Sequence, residues 1–541
     1  MSPTAGTAGR ERRSSAVWPR RCRFRLRWRT TGTSFYFNCG PPGPSERRRE
    51  MKIALLADLH LPDSERTVKE EVLDWALSAA VRLGADRIVG AGDLTATGTV
   101  RAAGRLRRRL ESTGIPFLLT PGNAELRTPV ERARVRDILR TPVEDDGLLL
   151  LDTSRGRLSE EARALLGRPV PAGVLAVTHC PPDAWPEEDR RLLERAFSSG
   201  RIARLAAGHR HVDGSFERIE LVRGLDPDKA RGGAPALVMF DGAAREDVVF
   251  DAADPRVWPE AERSAFFARL GCSGMKDPVG VLGRGTAAGM PVFELRYAGA
   301  ESLSDPALSA ALGRWRAGGG GCLSLHLPDL ALRDGEIRGV PELRRAAKQA
   351  VDLGCSRVTW HVPRIAAAEF PGAAEALQRA AEPVARMLLD AGIEIGIENL
   401  HLTPGEAPET RNFGYVPEEC REWIELLRWK LDCCSRIGFH FDLGHARNNG
   451  ELAGRHTISD WYAELGDEIN GFHLHQVVQD GDGTLHNHMP LTEPFGTLIS
   501  LASLFLAWRR GRVNPSPMFL EIREGDPVDS LRSLRRSLGA Q

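Results

Sequence analysis

Residue types that bind metals follow five short apolar segments in the first half of the chain. The first segment, 51–57 (MKIALLA), leads directly into Asp58 and His60. A carboxylate and an imidazole two positions apart can reach one divalent cation, because both are common metal ligands. The other segments lead into Asp93, Asn123, His179, and the pair His209 and His211. Such segments are typical of buried parallel strands, whose carboxyl ends hold ligands in open α/β sheets. We therefore expect a metal site at these strand ends.

The order of these residues resembles the calcineurin-like metallophosphoesterase family over residues 51–251. The resemblance implies a four-layer sandwich of two sheets flanked by helices, and two divalent metals (Mn, Fe, Zn or Co) bridged by Asp93. One metal would be held by Asp58, His60 and His211, and the other by Asn123, His179 and His209. A metal pair can turn a bridging water into hydroxide and stabilise phosphoryl transfer. The implied activity is hydrolysis of a small-molecule phosphate ester, with Asp93 as a catalytic residue.

One position departs from that family's pattern. Ala124 follows Asn123, where most members have a histidine that assists the leaving oxygen. The departure predicts slow turnover of esters with poor leaving groups and leaves metal binding unaffected. It is also the one feature that favours an interpretation in which a domain of this chain has become a non-catalytic binding module.

A second series of apolar segments runs from residue 266 to the C-terminus. Eight segments alternate with helix-like segments, which is the rhythm and size of a (β/α)8 TIM barrel. Metal-binding residue types follow these segments: His326, His361, Glu398, Asp442, His445, His473, His475 and Glu521, with His488 in the loop after the seventh. A barrel's active site lies on this rim, and burying these charges without a metal would be costly. We therefore expect a second metal centre.

The motifs IENL, FDLGH, HLH and LEIRE, in this order, resemble the xylose-isomerase-like barrel superfamily over residues 266–541. The resemblance implies at least one divalent metal (Mn, Mg, Co or Zn) held by Glu398, Asp442, His473 and Glu521. Glu398 and Glu521 would also be catalytic, moving protons on opposite faces of a sugar-like substrate during isomerisation or epimerisation. The remaining histidines would face the substrate: His326, His361, His445, His475 and His488.

The same superfamily contains endonuclease IV, which implies an alternative. Its larger metal cluster has extra histidines where this chain has His326 and His361, and an Asp-x-His pair where this chain has His486 and His488. The alternative is therefore nucleic-acid processing by a phosphoesterase or nuclease fused to an endonuclease IV-like barrel. It is not favoured, because the barrel segment has no basic stripe for gripping a duplex.

The composition is that of a globular protein without a membrane span. The 541 residues are 42% hydrophobic and 27% charged with no net charge, and no apolar segment is long enough to span a membrane. Nine cysteines without a C-x-x-C pair favour reduced thiols and a cytoplasmic protein. We predict an α/β protein of four parts: a disordered basic leader over 1–50, the phosphoesterase over 51–251, a linker over 252–265, and the barrel over 266–541. Met51 begins the first strand directly, which favours it as the natural start.

Overall fold

The computed structural model describes residues 51–168, 172–299, 301–403, 406–431 and 435–539. The predicted basic leader, residues 1–50, lies outside these ranges. The described residues belong to one compact unit. Among them, no helix combines the length and the apolar character that crossing a membrane requires.

The first part of the chain forms two sheets. Its strands are β1 Lys52–Leu56, β2 Arg87–Ala91, β3 Phe117–Thr120, β4 Glu144–Asp145, β5 Leu148–Leu151, β6 Val174–Thr178, β7 Ile202–Ala207, β8 Gly214–Phe216, β9 Ile219–Leu221, β10 Ala236–Asp241 and β11 Ala244–Val249. Its helices are α1 Val68–Arg82, α2 Val100–Ser112, α3 Arg132–Leu139, α4 Glu160–Gly167 and α5 Glu187–Ser198. The strand orders are β11-β10-β1-β2-β3 and β4-β5-β6-β7-β9-β8.

The two sheets pack face to face. Side chains alternate along β1, so Leu55 lies between the sheets while Ala54 and Leu56 face the helices. Leu55 shares a buried cluster with Val89 of β2 and Val177 of β6. Helix α1 packs on the outside of the first sheet, and α4 and α5 pack on the outside of the second. The carboxyl ends of β1, β2, β3, β6 and β7 hold the predicted metal ligands of this part.

The second part is a closed barrel of eight parallel strands. The barrel strands are β12 Leu270–Ser273, β13 Val292–Arg296, β14 Cys322–His326, β17 Arg357–His361, β18 Glu394–Glu398, β19 Ile437–Asp442, β20 Ile469–Leu474 and β23 Met518–Leu520. Two hairpins lie in the loops: β15 Ala331–Arg333 with β16 Glu336–Arg338, and β21 Gln476–Gln479 with β22 Leu485–Met489. Each of the eight predicted strands coincides with a barrel strand, so the predicted TIM barrel is confirmed.

Helices separate most of the barrel strands. They are α6 Glu260–Phe267, α7 Pro278–Ala287, α8 Pro306–Ala317, α9 Val340–Asp352, α10 Phe370–Asp390, α11 Pro417–Leu431, α12 Leu443–Arg447, α13 Leu452–Arg455, α14 Ile458–Leu465, α15 Ala502–Arg509 and α16 Pro527–Ser537. Helix α9 is typical: Leu343, Ala346, Ala347 and Ala350 are buried at helical spacing, and its other faces are polar.

The segment predicted as a linker is packed against the barrel. Residues 251–257 form two short 3-10 turns, and α6 begins at Glu260. The buried Trp258 ring lies 5.8 Å from the ring of Phe505 in α15. A polar contact also joins the two parts, because Lys69 of α1 pairs with Asp226 and Asp228, and Asp228 accepts hydrogen bonds from Ser459 of α14.

Candidate metal centres

The predicted ligands of the first part meet where the strands of the two sheets end. Five of them have left-handed backbone conformations, with φ between 48° and 70°: Asp58, His60, Asp93, His209 and His211. Residues other than glycine rarely adopt this conformation, because it is strained. Its concentration at these positions indicates that the surrounding structure fixes where their side chains point.

Four side-chain atoms that could serve as metal ligands meet around His179. The imidazole Nδ1 donates to the backbone oxygen of Ala91 at 3.1 Å, so Nε2 carries no proton in the neutral ring. This Nε2 lies 3.0 Å from Asn123 Oδ1, 3.2 Å from His209 Nδ1 and 3.3 Å from Asp93 Oδ1. With the Asn123 amide oxygen facing the two imidazoles, a cation between these atoms could accept a lone pair from each of them. The donor set of two imidazoles, an amide oxygen and a carboxylate suits a divalent transition metal.

A second group of ligands lies on the other side of Asp93. Asp58, His60 and His211 place one ligand atom each within 4.8 Å of one another. Both ring nitrogens of His60 and Nδ1 of His211 are buried and have no hydrogen-bond partner among the described residues, which is costly without a cation. Asp93 Oδ2 lies 3.5 Å from His60 Nε2, while its Oδ1 faces His179. The two oxygens of Asp93 therefore face two different groups, as a bridging ligand requires.

Glu125 lies two residues after Asn123 and positions the loops that carry these ligands. Its carboxylate is buried and accepts hydrogen bonds from the backbone nitrogens of Asp93, Thr95 and Gly122 at 3.1, 2.8 and 2.7 Å. It thus ties together the loops after β2 and β3. Gly122 is required there, because a Cβ on it would lie 2.3 Å from Asp93 Oδ1. Ala124 is fully buried, and its backbone nitrogen donates to Asp93 Oδ1 at 2.7 Å.

His473 is at the centre of the barrel site. Its Nε2 donates to Glu294 Oε1 at 2.7 Å, so its Nδ1 is the unprotonated nitrogen. This Nδ1 lies 3.0 Å from Glu398 Oε1, 3.3 Å from Glu521 Oε2 and 3.9 Å from Asp442 Oδ2. The structure therefore brings together the whole predicted quartet around one point. Glu294 is a buried residue of β13 that we did not predict, although a lone glutamate inside an apolar strand was a signal.

Two further histidines face the other oxygen of Glu398. The Nδ1 atoms of His326 and His361 donate to the Leu327 carbonyl at 3.0 Å and to Asp329 Oδ1 at 2.7 Å. Their Nε2 atoms, left without protons, lie 3.1 and 3.2 Å from Glu398 Oε2. His326 Nε2 and Glu398 Oε2 are buried without a hydrogen-bond partner in the described part of the chain. This arrangement also fits a cation, with Glu398 shared between two groups.

A third group surrounds Asp442. Asp442, His445, His475 and His488 place their ligand atoms within 4.8 Å of one another. His475 Nε2 lies 3.0 Å from Asp442 Oδ1, and His445 Nε2 lies 3.5 Å from Asp442 Oδ2. The backbone of His488 is left-handed, with φ of 58°. His486 lies outside the group, because its exposed ring bonds Asp480.

The charges of the barrel site favour ionised carboxylates. Without a metal, burial raises the pKa of Glu398, but His361 and His473 in their protonated forms outweigh it and hold that pKa well below its usual range. Burial raises the pKa of Glu521 too, and His488 and His473 again lower it well below its usual range. In the first centre, burial raises the pKa of Asp58 to about 7. A bound cation would lower that pKa, because it favours the ionised form.

Comparison with known proteins identifies the second part. Residues 287–537 match the family model of the xylose isomerase-like TIM barrel, so they form a domain of that kind. The match includes no residue of 51–251, for which the metallophosphoesterase resemblance stays a prediction. No curated protein matches the chain.

Several solved structures are similar over half of this chain. A D-tagatose 3-epimerase-like protein is 21% identical, with 50% of this chain and 97% of that chain covered and a TM-score of 0.37. A xylose isomerase domain protein from Planctomyces limnophilus is 16% identical, with 50% and 95% covered and a TM-score of 0.34. The 3-keto-D-glucoside 4-epimerase of E. coli is 12% identical, with 50% and 99% covered and a TM-score of 0.36.

Proposed function

We propose that the barrel is a metal-dependent isomerase or epimerase of a sugar-like substrate. The observation that carries the proposal is the convergence of Glu398, Asp442 and Glu521 on the unprotonated Nδ1 of His473. A divalent metal bound there would polarise the carbonyl of a sugar, which makes the neighbouring C–H more acidic. The protein holds His473 in the ligand tautomer through Glu294.

Two carboxylates are available to move the proton. Arg296 donates to Glu521 Oε1 at 2.9 Å, which leaves Oε2 facing the site. Both Glu398 and Glu521 place a carboxylate oxygen beside His473 Nδ1, so either could accept a proton from a carbon held there. One glutamate would remove the proton beside the carbonyl, and the other would return a proton to the opposite face.

Deuterium exchange tests this chemistry without knowledge of the product. The full chain, loaded with Mn²⁺ or Co²⁺, is incubated with a panel of ketopentoses and ketohexoses in D₂O. We expect deuterium at the carbon beside the carbonyl, and we expect Glu521→Gln to slow this exchange by on the order of 100-fold or more. Glu524→Gln, an exposed neighbour that pairs with Lys276, should leave it unchanged. Equal exchange in Glu521→Gln and the parent protein would remove Glu521 from the mechanism.

We also propose that the first centre hydrolyses phosphate esters with two metals. The specific observation in favour is that the two oxygens of Asp93 face separate ligand groups. A metal pair held there would supply a hydroxide nucleophile and stabilise the transferred phosphoryl group. This chain's own part is to fix the spacing of the groups through Asp93, whose backbone is held by Glu125.

Hydrolysis of p-nitrophenyl phosphate and of its bis ester tests this second site. We expect hydrolysis that chelation abolishes and that Asp93→Asn reduces by on the order of 1000-fold, with sugar exchange in the barrel retained. Asp241→Asn is the control, because this exposed carboxylate only pairs with Lys52 at the surface. Loss of both activities in Asp93→Asn would show that the two parts depend on each other.

Three ligand groups on one rim also support the nucleic-acid alternative for the barrel. The groups share Glu398 and Asp442, and together they have enough ligands for three cations. Two measurements distinguish the two proposals: the number of metals bound by the barrel, and cleavage of a DNA duplex that contains an abasic site. Cleavage of the duplex without sugar exchange would replace the isomerase proposal, and sugar exchange without cleavage would exclude the nuclease.

A further inference from the structure

A cavity of about 530 Å³ lies between the first part of the chain and the barrel. The first part contributes His60, Thr97, Arg127 and Lys229 to its wall, and the barrel part contributes Arg447, Gly454, Arg455 and Ile458. Because His60 belongs to the first ligand group, the cavity opens onto that centre. The walls approach closely, since a Cβ on Gly454 would lie 3.3 Å from Thr97 Cγ2 and 4.0 Å from Arg127 Nη1.

Three cations of this wall have little counter-charge. Arg127 Nη1 donates to the Ala96 carbonyl at 3.1 Å, and Arg447 Nε donates to the Leu498 carbonyl at 3.2 Å. In the described ranges neither guanidinium forms an ion pair. Lys229 has only Asp226, at 3.8 Å.

The acidic groups around the cavity are already engaged. Lys69 lies 2.8 Å from Asp226 and 3.1 Å from Asp228, so these carboxylates already pair with a cation. Glu451 lies 3.9 Å from Arg455. The wall therefore presents a net positive surface beside the first metal centre.

The cations of the wall destabilise one another's charged forms when no anion is bound. Burial, together with the charges of Lys69, Arg447 and Arg127, lowers the pKa of Lys229 to about 7 against the opposing effect of Asp226. Burial also lowers the pKa of Arg447, and Arg231 and Arg127 add to the effect, while Asp226 and Asp228 oppose it. An anion among these cations would relieve the repulsion, because it supplies the missing counter-charge.

We propose that the cavity binds a second anionic group of the phosphate ester whose first phosphate lies at the metal centre, with Arg447, Arg127 and Lys229 as its cationic ligands. The preferred substrate is then a small organic phosphate that carries a further phosphate or carboxylate. Guanidinium groups suit this role because they bind such oxygens in pairs. The inference rests on the proposed phosphoesterase function, and it makes the barrel part a component of that substrate site.

Calorimetric titration of the metal-loaded full chain tests the inference independently of turnover. The probes are glycerol 3-phosphate, propane-1,3-diol bisphosphate and 3-phosphoglycerate, which differ mainly in the second anion. We expect the bisphosphate to bind about tenfold more tightly than glycerol 3-phosphate, since one charge-assisted contact is worth about that factor. The 3-phosphoglycerate titration shows whether a carboxylate is accepted as well as a phosphate.

Variants identify the residues responsible for this preference. Arg447→Ala should reduce the preference to less than about threefold, and Arg447→Lys should restore part of it, because the charge remains. Arg127→Ala changes an exposed side chain, so it gives the same test without risk to the fold. Arg344→Ala, an exposed arginine on α9, is the matched control and should keep the full preference.

The outcomes separate the inference from the function on which it rests. Equal affinity for one and two anions, or a preference that Arg447→Ala and Arg127→Ala leave intact, would overturn the inference. Absence of p-nitrophenyl phosphate hydrolysis by the same preparation would overturn the proposed phosphoesterase, whatever the titrations give.

Discussion

At the scale of single residues, the barrel centre depends on hydrogen bonds that fix histidine tautomers. Glu294 accepts a hydrogen bond from Nε2–H of His473, and Asp329 accepts one from Nδ1–H of His361. Each bond leaves the opposite nitrogen free to face the ligand groups. Carboxylates in this position orient a metal-binding imidazole and raise its basicity.

Glu294→Gln tests this role. The substitution removes the negative charge beside His473. In the parent protein the hydroxyls of Ser324 and Thr359 donate to Glu294, and the amide would offer them a weaker acceptor or a competing donor. We expect metal affinity at the barrel to fall 10- to 100-fold. Competition with a fluorescent chelator measures the affinity, and Glu336→Gln on the exposed hairpin is the control. An unchanged affinity would mean that Glu294 is structural only.

Sequence patterns predict the candidate ligands but not the residues that position them. Asp58 and Asp93 follow apolar strands and His473 lies near the end of one, so their place at a strand end is visible locally. Glu294 and Glu125 act on residues far along the chain, since Glu294 meets His473 at a separation of 179 positions. A lone glutamate in an apolar strand marks Glu294 as unusual, but its partner depends on how the strands assemble, which no local pattern shows. His475 was predicted to face the substrate, and its contact with Asp442 likewise depends on how β19 and β20 assemble.

At the scale of elements, the short helix α12 connects the two sites. Asp442 caps its N-terminus by accepting from the His445 backbone nitrogen at 2.8 Å. His445 then faces the third ligand group, while Arg447 at the other end lines the cavity of the first centre. One helix of five residues therefore places a ligand in one centre and a cation beside the other.

Gly444→Ala tests how closely α12 approaches the third ligand group. A Cβ on Gly444 would lie 1.8 Å from His475 Cε1, so the imidazole must move away from Asp442. We expect the barrel to lose one metal equivalent in metal analysis if it holds three, and to bind its weakest metal less tightly if it holds fewer. Gly283→Ala on α7, where a Cβ would contact nothing within 4 Å, is the control. Retention of every metal at parent affinity would exclude His475 as a ligand.

The strands were more predictable than the elements between them. Buried parallel strands are continuous apolar segments, so all eight barrel strands could be read from the sequence. The hairpins β15–β16 and β21–β22 contain Arg333, Glu336 and Gln479 and bury little apolar surface, so no periodic pattern indicated them. The conformation of such hairpins depends on contacts with the rest of the barrel and not on their own apolar pattern.

At the scale of the whole molecule, the two parts share one core and one buried charge network. The segment 252–265 is rich in proline and charge, which predicts a linker, yet Trp258 is buried against Phe505. Its packing depends on a partner almost 250 positions away, which a local pattern cannot reveal. Lys69 is fully buried and pairs with Asp226 and Asp228. Asp228 in turn accepts hydrogen bonds from Ser459, so the network ends inside the barrel part.

Lys69→Met tests whether this network makes the two parts fold as one unit. The substitution leaves two buried carboxylates without their main cation, which typically costs about 3–5 kcal/mol. We expect urea unfolding to shift to lower concentration by that amount, with far-ultraviolet circular dichroism and tryptophan fluorescence reporting one shared transition. Lys52→Met, a half-exposed lysine paired with Asp241 at the surface, should change stability by less than about 1 kcal/mol. Two separate transitions, of which only one moves in Lys69→Met, would show instead that the barrel folds independently of the first part.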